Sequence, residues 1–175
     1  MIVKSEYYFI YHIPNNFDNL VMLSDGENLN GLYFLESEKQ KEKIKEKYIN
    51  KDLSIFISVQ KWLDMYFSGV NPNFTPRIGN YYSSLFQKEV LDITKEIPYG
   101  KTMTYGEIAS LIAKERNIKR MSSQAVGNAL GANPICLIIP CHRVIGKNGK
   151  LTGYHGGLKN KENLLIHEQN KDFKN

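Results

Sequence analysis

The chain has 175 residues, 42% of them hydrophobic, and a formal net charge of +5, so it can form one ordinary domain or two small ones. No apolar run approaches the roughly 18 residues of a membrane span. The charged start, Met1 to Glu6, lacks the apolar stretch of a signal peptide, and we therefore expect a cytoplasmic protein. Residues 81–175 carry a net charge of +6 and residues 1–80 a net charge of −1, which favours a polyanionic partner, nucleic acid above all.

The first third of the chain predicts a small sheet. Three short β-prone runs, Tyr7–Tyr11, Val21–Leu23 and Gly31–Leu35, are separated by segments that contain turn residues. The Lys/Glu tract from Glu38 to Lys47 alternates in sign, which predicts a solvated helix or loop rather than a nucleic-acid contact.

A helix and a linker follow. From Ile55 to Phe67 the apolar residues have helical spacing, and Gly69 is a suitable stop. Residues 71–80 contain two prolines, a glycine and three asparagines, which predicts a linker. We therefore predict a small N-terminal α/β domain of residues 1–79 and a mainly helical domain of residues 80–175.

Capping residues mark two helix starts after the linker. Ser84 and Gln87 have capping-box spacing before a helix that Pro98 closes. Thr104 to Glu107 is a second capping box. In the helix that it opens, the residues that face inward should be Ile108, Leu111 and Ile112.

A third helix is unusual in its small side chains. Ser122 or Ser123 can cap it and Gly131 can end it. Its small residues are Ala125, Gly127, Asn128 and Ala129. They allow close approach either to the rest of the domain or to a DNA groove. Together with the preceding helix and a basic connector, it resembles a helix-turn-helix with a long turn.

The candidate nucleophile follows an apolar run. Ile135–Ile139 predicts a short buried strand that the next residue, a proline, ends. The turn would present Cys141 beside His142 and Arg143, where a lowered pKa and a reactive thiolate are expected; the alternative is a buried structural cysteine. Without a sharp fold between them, Cys136 and Cys141 cannot form a disulfide, so both should be reduced thiols.

Two further elements follow the cysteine. Asn148-Gly149 predicts a hairpin between Val144-Ile145 and Leu151-Thr152. A last helix runs from Leu158 to Gln169, and one stripe of it contains Lys161, Leu164, Leu165 and Glu168. A carboxylate beside two leucines requires a partner.

These residues resemble the catalytic domain of the O6-alkylguanine-DNA alkyltransferases over residues 84–168. The matching motifs are Phe86-Gln87, Ile97-Pro98-Tyr99-Gly100, Thr104-Tyr105-Gly106, Ala125-Val126-Gly127, Asn133-Pro134, Pro140-Cys141-His142-Arg143-Val144, Gly153-Tyr154, Gly156-Gly157 and Leu164-Leu165 with Glu168. Their order and spacing hold over roughly half the chain.

The resemblance implies a fold and an activity. The fold would be a ribonuclease H-like α/β domain followed by a helical domain with a winged helix-turn-helix-like motif. The activity would be DNA repair, in which the alkyl group of O6-alkylguanine in double-stranded DNA moves irreversibly to Cys141 in a single turnover. O4-alkylthymine is a further candidate substrate. No cofactor, metal, membrane or obligate protein partner is implied, and we expect a monomer.

The resemblance also carries catalytic roles to individual residues. Cys141 would accept the alkyl group, His142 would be the base acting through a water, and Glu168 would orient His142. Tyr105 would protonate or hydrogen-bond the leaving guanine. Arg143 would make a structural or phosphate contact.

Further positions would contact the substrate or DNA. The Val144 carbonyl would accept from the guanine amino group, and the His155 amide would meet the substrate oxygen. Asn133 would stiffen the turn around the site. The full set of expected substrate and DNA contacts is Gln124, Ala125, Ala129, Asn133, Val144, Tyr154 and His155.

Two positions depart from the family pattern. Gln124 stands where an arginine often fills the gap left by the flipped base, which predicts weaker and more salt-sensitive flipping than arginine would give. His155 stands where a small residue such as serine can occur, which bears on the size of the pocket.

The cysteines and histidines also bear on metal sites and on other functions. With no cysteine before Cys136, the zinc-dependent phosphotriester repair of some relatives is excluded, and His12 alone gives no basis for zinc. Adjacent Cys141 and His142 are poor co-ligands. The chief alternative is a non-enzymatic protein that binds alkyl lesions; a cysteine hydrolase is more distant.

Overall fold

The computed structural model describes residues 5–13 and 17–169; most of the charged start, residues 1–4, lies outside them. Contacts divide the chain into two compact units, Met1–Tyr81 and Tyr82–Asn175. Within the described ranges, no helix is long and apolar enough to cross a membrane.

The first unit contains a four-stranded sheet with the order β3-β2-β1-β4. Its strands are β1 Tyr7–Tyr11, β2 Leu20–Ser24, β3 Leu29–Phe34 and β4 Ile49–Asn50. The first three form antiparallel pairs, and β4 runs parallel to β1. The three predicted strands are confirmed; β4 was missed because two residues carry no alternation of polar and apolar side chains.

Two helices follow the strands. Helix α1, Glu38–Lys47, is capped by Ser37 and buries only Ile44, as expected for its charged sequence. Helix α2, Ser54–Ser68, buries its aromatic face and ends at Gly69, which has the left-handed φ of 79°.

The predicted linker is not a simple connector at its end. The Leu29 amide donates to the Arg77 carbonyl, and the Gly79 amide donates to the Leu29 carbonyl, each at 2.9 Å. Ile78 thereby forms a parallel bridge with Leu29. Strand β3 lies at the edge of the sheet, so its outer backbone groups need such partners.

The second unit is mainly helical. Its helices are α3 Leu85–Lys95, α4 Tyr105–Glu115, α5 Ser123–Gly131 and α6 Leu158–Gln169. Ser84, Thr104 and Ser122 cap the first three, and Thr104 with Glu107 completes the predicted capping box. Helix α5 packs against α3 and α4. The inward assignment is wrong for Leu111, which is 39% exposed, and right for Ile108 and Ile112.

The segment before the cysteine is not a strand. Residues 136–138 form turns, and Leu137 has a φ of 67°. The Ile139 amide donates to the Ile135 carbonyl at 3.1 Å, which closes the segment on itself. The side chains are buried as predicted except that of Ile138, which is partly exposed; an apolar run does not distinguish a strand from a tightly turned buried segment.

The predicted hairpin forms its turn without its strands. Asn148 and Gly149 both have positive φ, 60° and 78°, as the Asn-Gly pair predicts. However, β6, Val144–Ile145, pairs in parallel with β5, Met103–Thr104, so the backbone of Val144–Ile145 is engaged elsewhere.

The left-handed end of α2 gives a stability prediction. Replacing Gly69 with alanine puts a Cβ at φ 79°, and the free energy of unfolding in urea should fall by about 1 kcal/mol. Gly131→Ala is the matched change within helix α5, where no atom lies within 4 Å of an added Cβ. It should raise stability by about 0.5 kcal/mol. Equal effects of the two changes would contradict this interpretation.

Candidate active site

Cys141 opens a short 3-10 turn, Cys141–Arg143, after Pro140. The side-chain amide of Asn133 lies 3.2 Å from Cys141 Sγ and donates to the Ile139 carbonyl at 3.0 Å. Asn133 Oδ1 also accepts from the Ile135 amide at 3.0 Å. One buried asparagine thus bonds both the turned segment and the thiol.

The Cys141 thiol is buried and protonated in the protein alone. Burial raises its pKa, and the hydrogen bond from Asn133 and the charge of Lys161 oppose this only in part. The expected lowering of the pKa is therefore wrong for this state, because desolvation outweighs the nearby positive charge. Cys136 is also buried and forms no disulfide with Cys141.

Next to the thiol lies a buried network around one carboxylate. His142 Nε2 lies 2.7 Å from Glu168 Oε1. Arg143 Nε donates to Glu168 Oε2 at 2.9 Å, and Arg143 Nη2 donates to Oε1 at 3.0 Å. The Gly100 amide donates to Oε2 at 3.0 Å. Glu168, expected to need a partner, finds one in each of these residues.

The network fixes two charge states. Burial alone would raise the pKa of Glu168, but the hydrogen bonds and charges of His142 and Arg143 hold it well below the usual range. Burial lowers the pKa of His142; the charges of Arg143 and Lys161 add to this, whereas Glu168 opposes it. An ionised Glu168 therefore faces a neutral imidazole near neutral pH.

Lys161 is a buried cation that the sequence analysis did not assign to the site. Its Nζ donates to the carbonyls of Val144 at 2.7 Å and Thr152 at 2.9 Å. Burial lowers its pKa to about 8, and Cys141 opposes this shift. A signal was present: lysine on the same apolar stripe as Glu168 needs partners for the same reason.

A cavity of about 440 Å³ opens beside the thiol. Its lining includes Cys141, Tyr105, Gln124, Tyr154 and His155. The Tyr105 hydroxyl donates to the carbonyl of Thr152 at 3.0 Å and, more weakly, to that of Gly153 at 3.3 Å. Burial raises the pKa of Tyr105, the hydrogen bond to Thr152 lowers it, and the net effect keeps its proton in place.

Comparison with known proteins shows the family to which the chain belongs. Residues 85–170 match the model of the 6-O-methylguanine DNA methyltransferase DNA-binding domain. A methylated-DNA–protein-cysteine methyltransferase of Methanosarcina acetivorans is 40% identical over 159 residues, covering 91% of this chain and 96% of the relative. The chain belongs to the methylated-DNA–protein-cysteine methyltransferase family.

Solved structures extend the likeness to the fold. A single-substitution variant of the Mycobacterium tuberculosis O6-methylguanine methyltransferase has a TM-score of 0.76 and 35% identity, covering 93% of this chain and 92% of that one. M. tuberculosis OGT in complex with DNA has a TM-score of 0.75 and 34% identity, covering 94% and 93%. The mixed α/β fold is thus that of the methyltransferase family.

Within this methyltransferase fold, the remaining predicted residues do not all reach the cavity. Ala125 and Ala129 line a separate groove with Phe86 and Gln87. Val144 is fully buried, and its carbonyl already accepts from Lys161. His142 and Glu168 are buried behind the thiol, with 0% and 1% of their surfaces exposed.

A larger groove of about 980 Å³ is lined by residues of α4 and the start of α5. Gln124 and Tyr105 line both this groove and the cavity. Two lysines, Lys114 and Lys147, contribute positive charge to it. Among the described residues, no group of three or more His, Cys, Asp or Glu side chains is arranged to hold a metal ion.

The buried position of Lys161 predicts a stability effect. Lys161→Met should lower the free energy of unfolding in urea by about 1–3 kcal/mol, because buried carbonyls lose their donor. Lys159→Met, an exposed position on the same helix, should change it by less than about 0.5 kcal/mol. Equal stability of the two variants would contradict the bonding role given to the Lys161 ammonium.

Proposed function

We propose that this chain repairs alkylated DNA by direct reversal, as a methylated-DNA–protein-cysteine methyltransferase. The alkyl group on O6 of guanine in double-stranded DNA moves to Cys141 Sγ in one irreversible turnover. The observation that carries the proposal is a cysteine in the cavity wall whose sequence neighbour, His142, is held by a buried carboxylate at 2.7 Å.

The chemistry requires a thiolate. At an unperturbed pKa of about 8.5, roughly 3% of a thiol is ionised at pH 7, so full ionisation is worth about 2 kcal/mol. The raised pKa of Cys141 makes a base more necessary. His142 is neutral and therefore able to accept a proton. Because Nε2 faces Glu168, Nδ1 would be the atom that accepts the thiol proton, which a water would relay.

The transfer step is a nucleophilic displacement at the alkyl carbon. The sulfur forms a bond to the alkyl carbon, the carbon–O6 bond breaks, and its electron pair stays on guanine. Tyr105 would donate to the leaving guanine; since its hydroxyl donates to Thr152 and Gly153 in the protein alone, it must exchange those carbonyls for the base. The His155 amide would donate to the oxygen of guanine. The Val144 carbonyl, which already accepts from Lys161, would accept from the guanine amino group with its second lone pair once the base is in place.

The second unit would hold the DNA. Helices α4 and α5 would act as a helix-turn-helix-like pair, with the turn around Asn148 in the place of a wing. The small residues Ala125 and Ala129 would let α5 enter the minor groove, and Gln124 would fill the gap left by the base. Flipping costs a few kcal/mol, and Lys114 and Lys147, beside Gln124 in the larger groove, would offset it through phosphate contacts.

The remaining expectations stay part of the proposal. The sheet order β3-β2-β1-β4, antiparallel except for β4, supports a ribonuclease H-like N-terminal domain of residues 1–79 before the catalytic domain of residues 80–175. The protein would act as a cytoplasmic monomer without an obligate protein partner. A lesion-binding protein would not require the cysteine, base and carboxylate that are all present here.

Intact mass tests the proposed reaction. Incubation with a duplex that contains O6-methylguanine should add one methyl group to the protein, on Cys141, and restore guanine in the DNA. Cys141→Ser should abolish transfer because a hydroxyl is a much weaker nucleophile. Cys136→Ser is the matched control and should still accept one methyl group.

Each other outcome points away from this reaction. An unchanged mass with tight DNA binding indicates a lesion-binding protein, and turnover of an ester or peptide indicates a hydrolase. Methyl transfer that survives in Cys141→Ser would overturn the assignment of the acceptor.

Gln124, at the position that would fill the gap left by the flipped base, gives a second prediction. Gln124→Arg should raise both the affinity for O6-methylguanine duplex and the single-turnover repair rate, because a cation in the vacated stack also attracts the phosphates. Gln124→Met, similar in length but uncharged, should not raise either. Binding and rate are measured at several salt concentrations; unchanged values for the arginine variant would show that residue 124 lacks the role given to it.

A further inference from the structure

Arg143 is a buried and hydrogen-bonded residue to which the proposed reaction assigns no role. It is 8% exposed, and its guanidinium spans two acceptors. Nε and Nη2 hold both oxygens of Glu168, and Nη1 donates to the Ile97 carbonyl at 2.7 Å. The ring of Tyr99 lies 5.6 Å from the guanidinium. A phosphate contact is therefore excluded in this state, whereas the structural contact is confirmed.

We propose that Arg143 is a positioning residue that, by holding both oxygens of Glu168, keeps His142 a neutral base at the pH where the protein works. This inference rests on the proposed function. Glu168 shares its charge between an arginine and an imidazole. Without the arginine, the full carboxylate charge would face His142 and would favour a permanently protonated imidazolium, which cannot accept the thiol proton.

The other charges around His142 leave this role to Arg143. From α6, Glu168 favours the imidazolium and Lys161 opposes it; from the 3-10 turn, Arg143 opposes it, and Cys141 is a neutral thiol. The buried side chains of α3, which packs against the turn, are all uncharged: Gln87, Val90, Leu91 and Thr94. The loop after α3 contributes the Gly100 amide to Glu168 and the Tyr99 ring to Arg143.

Arg143 contacts the carboxylate directly, whereas the Lys161 ammonium donates to the carbonyls of Val144 and Thr152. Arg143 is therefore the cation that can change the charge available to His142 through Glu168. It also follows His142 directly in the same 3-10 turn, so both side chains meet the one carboxylate of Glu168.

The test is a pH titration of the full chain with its native cysteine. The imidazole of His142 is followed by nitrogen NMR, its signal being the one missing from His142→Gln. The single-turnover methyl transfer rate is measured at saturating O6-methylguanine duplex over the same pH range. Arg143→Gln should shift the imidazole midpoint and the acidic limb of the rate profile to higher pH, each by about one unit. Loss of the Arg143 cation makes protonation of His142 easier and formation of the Cys141 thiolate harder. Both effects move the acidic limb of the rate profile to higher pH.

Matched variants separate the effect of the Arg143 charge from the effect of its hydrogen bonds on the structure. Arg143→Lys keeps the cation and should retain the wild-type midpoints, even where fewer hydrogen bonds lower the melting temperature. Arg143→Met is a second neutral variant without an unpaired amide, for use where the glutamine variant does not fold. Arg116→Gln removes an arginine that pairs with Glu89 at the surface, and it should leave both midpoints unchanged.

Unmoved midpoints in a folded neutral variant, or an equal shift in Arg143→Lys, would overturn the inference. The NMR midpoint does not depend on DNA repair. If the wild-type chain transferred no methyl group but Arg143→Gln still shifted the imidazole titration, the result would count against the proposed function alone.

Discussion

The carboxylate of Glu168 is the group on which the candidate site depends. A buried charge is stable only where partners replace water, and Glu168 meets this requirement with His142, Arg143 and the Gly100 amide. These partners come from the turn after Pro140 and from the loop after α3, while Glu168 itself comes from the last helix. One side chain thus ties three distant stretches together, and it holds the imidazole of His142, the residue next to the cysteine in sequence, at 2.7 Å.

Burial of the thiol has a consequence for a protein that acts once. A raised pKa lowers the thiolate fraction, and the thiolate is the form that oxidants and electrophiles attack. Cys141 Sγ lies 3.2 Å from the Asn133 side-chain amide at the wall of the cavity, and its neighbour His142 has a lowered pKa. The reactive state would thus form where substrate, base and thiol meet, which limits the loss of a nucleophile that the reaction does not regenerate.

Much of the local structure could be predicted because the deciding interactions are close in the sequence. Ser84, Thr104 and Ser122 cap their helices through donors three residues away, and Asn148-Gly149 supplies positive φ within one turn. Where a distant partner decides, prediction fails. Asn133 turns an apolar run that resembles a strand, and pairing with Met103–Thr104 removes Val144–Ile145 from the predicted hairpin.

The sequence by itself determined the candidate nucleophile, the histidine next to it, the need of Glu168 for a partner and the family, since these lie in short motifs whose chemistry is local. Only the tertiary structure decided how the charges are shared. It assigned Arg143 to Glu168 and Lys161 to two backbone carbonyls, and it reversed the expected pKa shift of Cys141. The physical reason is that desolvation and ion pairing depend on which atoms surround a group in space, and residues 97, 143 and 168 become neighbours only when the chain folds.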